Sequence, residues 1–325
     1  MDRIAIISDV HANITALNAV LDDIHSRGIS RIFCLGDSVT KCCNPDLVID
    51  KLRENCEVVL RGNCDESISS PNAKLKSFWS RVKIGEERAN YLHNLPVMTE
   101  FYMSGRLVRL FHASPFSTSH IYNPMYSNQN TLREVIELSS PMQLFENTEF
   151  LGKTQNDPIP DVIGYGHIHT PNVFRYKNKT IFNTGSVGMP IEMANDNNLQ
   201  NADNRFSTLA SYIILEGIYG SKELSTFSIN LVRVPFDIEK EIEYLENSDM
   251  PGKDKIIKTF VTNCFLNRLI CEEDKIVHDI ESMYKEHFQT VYKYLVCLTH
   301  NEDTAEELTQ ETFYKAIQKI NIFKN

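Results

Sequence analysis

The sequence predicts an α/β domain followed by a helical tail. Three observations carry that reading. Short apolar runs alternate with amphipathic stretches through the first half, Pro251 and Gly252 interrupt the chain among charged residues, and everything beyond them reads as helix. The elements follow in order. Residues 3–8 are rich in isoleucine and read as a strand, after which Ile14, Leu17, Val20, Leu21 and Ile24 recur at helical spacing, with Gly28 as the stop. Residues 31–35 give the next strand. Asn44 as a cap and Pro45 in the first turn open a second helix carrying Leu47, Val48 and Leu52. Residues 57–60 form the third strand, and weaker strand signals follow at 107–111, 161–165, 180–182, 209–215 and 227–234. The polar stretches 116–130 and 194–207 read as loops. The break at 248–254 divides the chain into a domain over 1–250, a helical linker over 251–277 and a helical pair over 278–325.

Composition narrows the function classes. The 325 residues carry 33 basic and 43 acidic side chains, a net charge of −10, which disfavours broad contact with a nucleic-acid backbone. With 42% hydrophobic and 23% charged residues the chain has the means to build a core, so disorder is excluded as its main state. No apolar run reaches the roughly 18 residues of a membrane span, and the first apolar run is cut short by Ser8 and Asp9, unlike a signal peptide. The eight cysteines follow no domain-scale spacing and read as free thiols. These features together point to a cytoplasmic protein with no membrane contact and no direct DNA binding.

The chemistry-bearing residues stand directly after the apolar runs. Asp9 and His11 follow the first, Asp37 the second and Asn63 the third; His112 follows 107–111, and His167 with His169 follow 162–165. Loops beyond the carboxyl ends of sheet strands converge on one crevice, which brings seven nitrogen and oxygen donors to one place. Small residues flank them, as in Gly36-Asp37, Gly62-Asn63 and Gly166-His167, and permit close approach of backbone and ligand. A mixed imidazole, carboxylate and amide set suits divalent Mn, Fe, Zn, Ni or Co, manganese foremost. Two such ions about 3.5–4 Å apart can share a carboxylate, generate a hydroxide at neutral pH and clamp a phosphoryl group. Asp37, midway in the order, is the natural bridge.

Asp9-Val10-His11, Gly36-Asp37, Gly62-Asn63-Cys64-Asp65, His112 and Gly166-His167-Ile168-His169 together resemble the calcineurin-like metallophosphoesterases, over about residues 1–240. The Gly-Asn-Cys-Asp form is similar to the small bacterial phosphodiesterase branch. The resemblance implies a β-sandwich of two sheets flanked by helices, so the open-sheet picture holds only locally. It implies a first ion on Asp9, His11, Asp37 and His169, a second on Asp37, Asn63, His112 and His167, and hydrolysis of a phosphodiester or phosphomonoester, nucleotides included, by a metal-bridging hydroxide. Asp37, His112 and Cys64 are the catalytic candidates, and Asn63 and Arg61 the substrate contacts.

The chain departs from that pattern at several points. Cys64 stands where most of the superfamily carries a histidine that helps protonate the leaving group, so good leaving groups or another acid are implied. Ala12 replaces a glycine, residues 38–43 differ from the expected Gly- and Pro-containing loop, and Thr184 replaces a proline in the turn 183–187. Other residues have plainer readings. His25, His93 and His120 belong to surfaces or helices, Cys42 and Cys43 to a half-buried loop, and Asp65 to the orientation of its own turn. Arg61 reads equally as a phosphate contact or a surface ion pair, and Tyr122 and Tyr126 as cleft or loop aromatics.

In the tail, Ile280, Met283, Tyr284, Phe288, Val291, Tyr294, Leu295 and Leu298 form one apolar stripe. Asn301 caps a second helix with an acidic first turn and an apolar face of Ala305, Leu308, Phe313, Ala316, Ile317 and Ile320. The wording of 278–325 resembles region 2 of extracytoplasmic-function sigma factors, cut off before the part that reads DNA. That resemblance implies RNA polymerase or an anti-sigma factor as a partner of the tail, or a fusion remnant without a role. A transcription-associated binding protein is therefore the alternative to a hydrolase.

Overall fold

A computed structural model describes residues 1–69, 75–120, 138, 140–192 and 205–261, with scattered residues between 288 and 309. Two mixed five-stranded sheets form its frame. The first joins β1 (Asp2–Ile7), β2 (Arg31–Cys34), β3 (Val58–Val59), β11 (Leu209–Gly217) and β12 (Ser228–Pro235) in the order β12-β11-β1-β2-β3. The second joins β4 (Met98–Met103), β5 (Arg106–Phe111), β6 (Val162–Tyr165), β7 (Asn172–Tyr176) and β8 (Lys179–Asn183) in the order β4-β5-β6-β8-β7. Each sheet has a parallel centre, β1-β2-β3 in one and β5-β6-β8 in the other, with antiparallel strands outside it. A short pair, β9 (Ile191–Glu192) and β10 (Arg205–Phe206), stands apart.

Side-chain alternation explains why two sheets pack rather than one. Ile4 and Ile6 of β1, Phe33 of β2, and Ile213 and Leu215 of β11 turn one way and meet Val108, Leu110, Val162 and Phe182 of the second sheet. Phe33 and Phe101 touch edge to face across this layer, ring centres 5.6 Å apart. The alternate residues Ala5, Ile7, Cys34, Tyr212 and Ile214 turn to the helices instead. These helices are α1 (Ile14–Ser26), α2 (Pro45–Asn55) and α4 (Leu75–His93), which contribute Leu17, Val20, Leu21, Ile24, Val48, Ile49, Leu52, Ala89 and Leu92. Strands β1 and β2 are buried on both faces, so they read in the sequence as unbroken apolar runs. On the outer face of the second sheet, short 3₁₀ turns over Pro141–Phe145 and Glu149–Leu151 bring Leu144, Phe145 and Leu151 against Phe111, Ile163, Tyr165 and Ile181. The expectation of a sandwich flanked by helices is met, and the open doubly wound picture is corrected. The ligand-bearing strands belong to two sheets because each apolar strand had two faces to cover.

Several elements lie outside the sequence-based expectation. The strands β4 and β7 carry few buried side chains, and α4 is interrupted by Gly85 in left-handed backbone, so neither gave a clean period. Helices α3 (Asn63–Ser69) and α5 (Ile238–Glu246) are short. Gly28 does end α1, with φ of 68°. Asn44 holds the cap position of α2 but makes no capping hydrogen bond; its amide points at the Cys43 sulfur, 3.4 Å away.

The chain divides into two compact units, Met1–Asn263 and Cys264–Asn325. In the first, Phe260 is fully buried and packs edge to face on Phe206, ring centres 5.0 Å apart. Of the second, little is described: the Asn301 carboxamide accepts from the Thr304 N–H at 3.0 Å, the cap read from the sequence, while most of 278–325 lies outside the described residues. Loop residues 121–137, with Tyr122 and Tyr126, and 193–204 lie outside them too.

Candidate metal centre

The carboxyl ends of β1, β2, β3, β5 and β6 deliver the seven donors to one place, and the backbone there is unusual. Asp9, His11, Asp37, His167 and His169 all sit in the left-handed region, with φ between 50° and 66°. So does Ala12, at 59°, which accounts for the glycine that the resemblance led one to expect. Each such residue costs about 1–3 kcal/mol, and strain of this kind persists where the surroundings over-determine it. Here the loops are stapled together: Asp9, His11 and Ala12 N–H groups donate to the carbonyls of Gly36, Asp37 and Ser38 at 3.0, 2.9 and 2.9 Å. Two glycines make the approach possible. A Cβ on Gly62 would meet the Asp37 carboxylate at 2.2 Å, and one on Gly166 would meet the Ser8 hydroxyl at 2.1 Å.

The donors fall into two adjoining groups. In one, His11 Nε2 lies 3.6 Å from Asp9 Oδ1 and 3.7 Å from Asp37 Oδ2, and His169 Nε2 lies 3.2 Å from Asp9 Oδ1. In the other, His112 Nε2 lies 3.4 Å from Asp37 Oδ1, 3.1 Å from Asn63 Oδ1 and 3.3 Å from His167 Nδ1. Asp37 reaches both through its two oxygens. Three rings are held by their outer nitrogens, since Nδ1 of His11, His112 and His169 faces the carbonyls of Val39, Leu35 and Met189 at 3.3, 3.0 and 2.8 Å. A carbonyl can only accept, so Nδ1 carries the hydrogen and, in a neutral ring, Nε2 offers its lone pair to the centre.

Burial and neighbouring charge set the protonation states. Burial pushes His11 down to about 4, helped by the Lys41 ammonium, and burial beside His112 likewise pushes His167 down to about 4. Burial acts to raise Asp9 and Asp37, but the surrounding histidines outweigh it and hold both below the usual carboxylate range. His11 and His167 are therefore neutral and Asp9 and Asp37 ionised at physiological pH, the states a divalent ion requires. The buried Asp9 Oδ1 has no hydrogen-bond partner among the described residues, and the Nε2 atoms of His11 and His169 face each other at 3.0 Å. Donors left in this arrangement fit a cation.

Around the donors, second partners fix the geometry. His167 N–H donates to Asp9 Oδ2 at 2.9 Å and Cys64 N–H to Asp37 Oδ1 at 2.8 Å. Asp65, read from the sequence as orienting its turn, does so: it accepts from the N–H groups of Asp37, Ser38 and Gly62 at 2.8, 3.0 and 3.0 Å. The Cys64 thiol is pushed well up by burial and by the Asp37 charge, so it stays protonated. The Arg61 guanidinium donates to the His93 carbonyl at 2.9 Å, at the end of α4. Cys42 and Cys43 are buried rather than half-buried, and the cysteines of the described residues are free thiols. Among the described residues, no helix is long and apolar enough to cross a membrane.

Sequence reasoning missed Lys41. Its ammonium lies 3.0 Å from His11 Nε2 and 3.4 Å from His169 Nε2. The available signal was the altered stretch 38–43, in which the position of Lys41 was noted and its charge was not.

Known proteins resemble this chain in sequence and in fold. Residues 2–200 match the calcineurin-like phosphoesterase superfamily domain. An uncharacterized protein of Methanocaldococcus jannaschii is 30% identical over 258 residues, covering 76% of this chain and 93% of that protein. A metallophosphoesterase from Sphaerobacter thermophilus shares the fold with a TM-score of 0.54 at 21% identity, covering 81% of this chain and 99% of that one. A hypothetical protein from Pyrococcus horikoshii does so with a TM-score of 0.54 at 17% identity, over 80% of this chain and 98% of its own. The sigma-factor resemblance of 278–325, and the polymerase or anti-sigma partner it implied, find no support in these comparisons. The chain belongs to the calcineurin-like phosphoesterase superfamily and is a metal-dependent hydrolase of that family.

Proposed function

We propose that the protein hydrolyses phosphodiesters or phosphomonoesters, nucleotides among them, at a centre of two divalent ions. Asp9, His11, Asp37 and His169 would hold the first, and Asp37, Asn63, His112 and His167 the second, with manganese foremost and iron, zinc, nickel or cobalt as alternatives. The observation that carries this reading is Asp37, whose two carboxylate oxygens face separate histidine groups at 3.7 and 3.4 Å. When bound, such ions polarise a phosphoryl oxygen and lower the pKa of water enough to supply the attacking hydroxide.

The residues of the chain do the rest. Carbonyl bonds to Nδ1 keep the rings of His11, His112 and His169 aimed inward, and the Cys64 and His167 N–H groups keep the Asp37 and Asp9 carboxylates turned to them. The Cys64 thiol, pushed up by burial, holds its proton and is a poor acid for a departing alkoxide. Substrates whose leaving group departs as a stable anion suit the site best.

The test is hydrolysis of a nitrophenyl phosphodiester and monoester with added manganese, wild type beside Asp37→Ala. Manganese-dependent turnover that falls to background in the variant is the expected result. A manganese-loaded wild type that turns over neither ester would sink the reading.

A further inference from the structure

A cation held against His11 and His169 has a counterpart within the chain. Both rings have Nδ1 tied to a carbonyl, so in their neutral forms the Nε2 lone pairs confront each other at 3.0 Å, an arrangement that repels unless positive charge lies against both. The Lys41 ammonium lies against both, at 3.0 and 3.4 Å. An ammonium offers three donors and no acceptor, so it can satisfy two such lone pairs at once.

The loop is shaped to deliver it. Thr40 and Lys41 are consecutive non-glycine residues in left-handed backbone, φ 72° and 68°, which is a true outlier for the β-branched threonine. The Cys42 N–H fastens the turn to the His11 carbonyl at 3.0 Å. His11 is thereby gripped on both ring nitrogens by one short segment, Nδ1 by the Val39 carbonyl and Nε2 by Lys41. Lys41 is itself exposed, with its tip turned inward, so its stem has room to swing out.

We propose that Lys41 is a built-in cation that stands at the first ion position in the metal-free protein and must be displaced for an ion to enter there. The inference rests on the two-ion reading above. Loading is then sequential. The group of Asp37, Asn63, His112 and His167 fills first, because no lysine of the described residues lies against it, and the group of His11 and His169 fills second against the competing ammonium.

Equilibrium dialysis of the metal-stripped full chain against manganese tests this, with wild type, Lys41→Met and Lys41→Arg side by side. The expected wild type binds two ions, the second at least about tenfold more weakly. Lys41→Met should tighten the weaker step about tenfold or more and leave the tighter step within about twofold. Lys41→Arg, which keeps the charge, should keep the weak step. Two ions bound with superimposable isotherms in all three proteins would overturn the role of Lys41 while leaving the two-ion reading intact. Fewer than two ions in every protein would overturn both.

Discussion

The Asp65 carboxylate accepts the backbone N–H of Asp37 at 2.8 Å, so the residue that faces both histidine groups is positioned by another acid three elements away in the chain. Asp65 also accepts from Ser38 and Gly62, and burial together with the Asp37 charge raises it to about 7. The same carboxylate thus ties the loop after β2 to the loop after β3.

Asp65→Ala strands three buried N–H groups. At about 1–3 kcal/mol for each unsatisfied donor, partly relieved by relaxation, the loss should be about 3 kcal/mol. Denaturant unfolding of the metal-free protein measures it, and manganese affinity should fall in parallel, since both loops lose their common anchor. An unchanged unfolding midpoint would remove Asp65 from this role.

Ions that bind only the folded state must stabilise it. With free manganese at a hundredfold excess over Kd, linkage gives about 2.7 kcal/mol. For a unit of this size that is a rise in Tm of roughly 5 °C. Asp37→Ala, which takes a donor from both groups, should lose most of the rise, and a chelator should reverse it in the wild type. Differential scanning calorimetry reads all three.

Glu241 predicts a pH dependence remote from the donors. Its side chain reaches from α5 to the Thr15 N–H at 3.4 Å, its Oε1 has no hydrogen-bond partner among the described residues, and burial raises it from 4.5 to about 7. The folded state therefore holds a proton that the unfolded state has released between those values. Its contribution is complete below pH 4.5, declines as pH rises, and is gone above pH 7, a difference on the order of 3 kcal/mol. Glu241→Gln should flatten that decline and unfold at higher denaturant than wild type at pH 8. Parallel pH profiles for the two proteins would contradict the assignment.

Phe260 sets where the chain can be cut. Removing 264–325 leaves the unit Met1–Asn263 whole and should leave ester hydrolysis intact. Cutting after Met250, the border suggested by Pro251 and Gly252, also removes Phe260 from its contact with Phe206. Loss of a buried phenylalanine costs about 3–5 kcal/mol, and Phe260→Ala in the full chain should reproduce most of it. Comparing Tm values of the two truncations and the point variant separates the outcomes.

Much of the candidate site was legible because its donor side chains sit where apolar runs end. The runs 4–7, 32–35 and 107–111 are doubly buried strands, and a strand's end is a fixed address that needs no knowledge of its neighbours. The edge strands β4 and β7, half exposed, left no comparable trace. Arg61 shows what only folding supplies: two residues from Asn63 in sequence, its guanidinium donates to the His93 carbonyl, a partner far away in the chain.

By itself the sequence determined the donor set, its order and its chemistry, because imidazole, carboxylate and amide groups at strand ends carry their preferences wherever the fold takes them. The tertiary structure alone decided how those donors are divided. Which oxygen of Asp37 faces which histidine, which ring nitrogen points inward, and that Lys41 lies against both His11 and His169 all depend on loops from two sheets meeting within hydrogen-bond distance. Distances between residues far apart in the chain are set by packing, and packing is a property of the whole folded core rather than of any one segment.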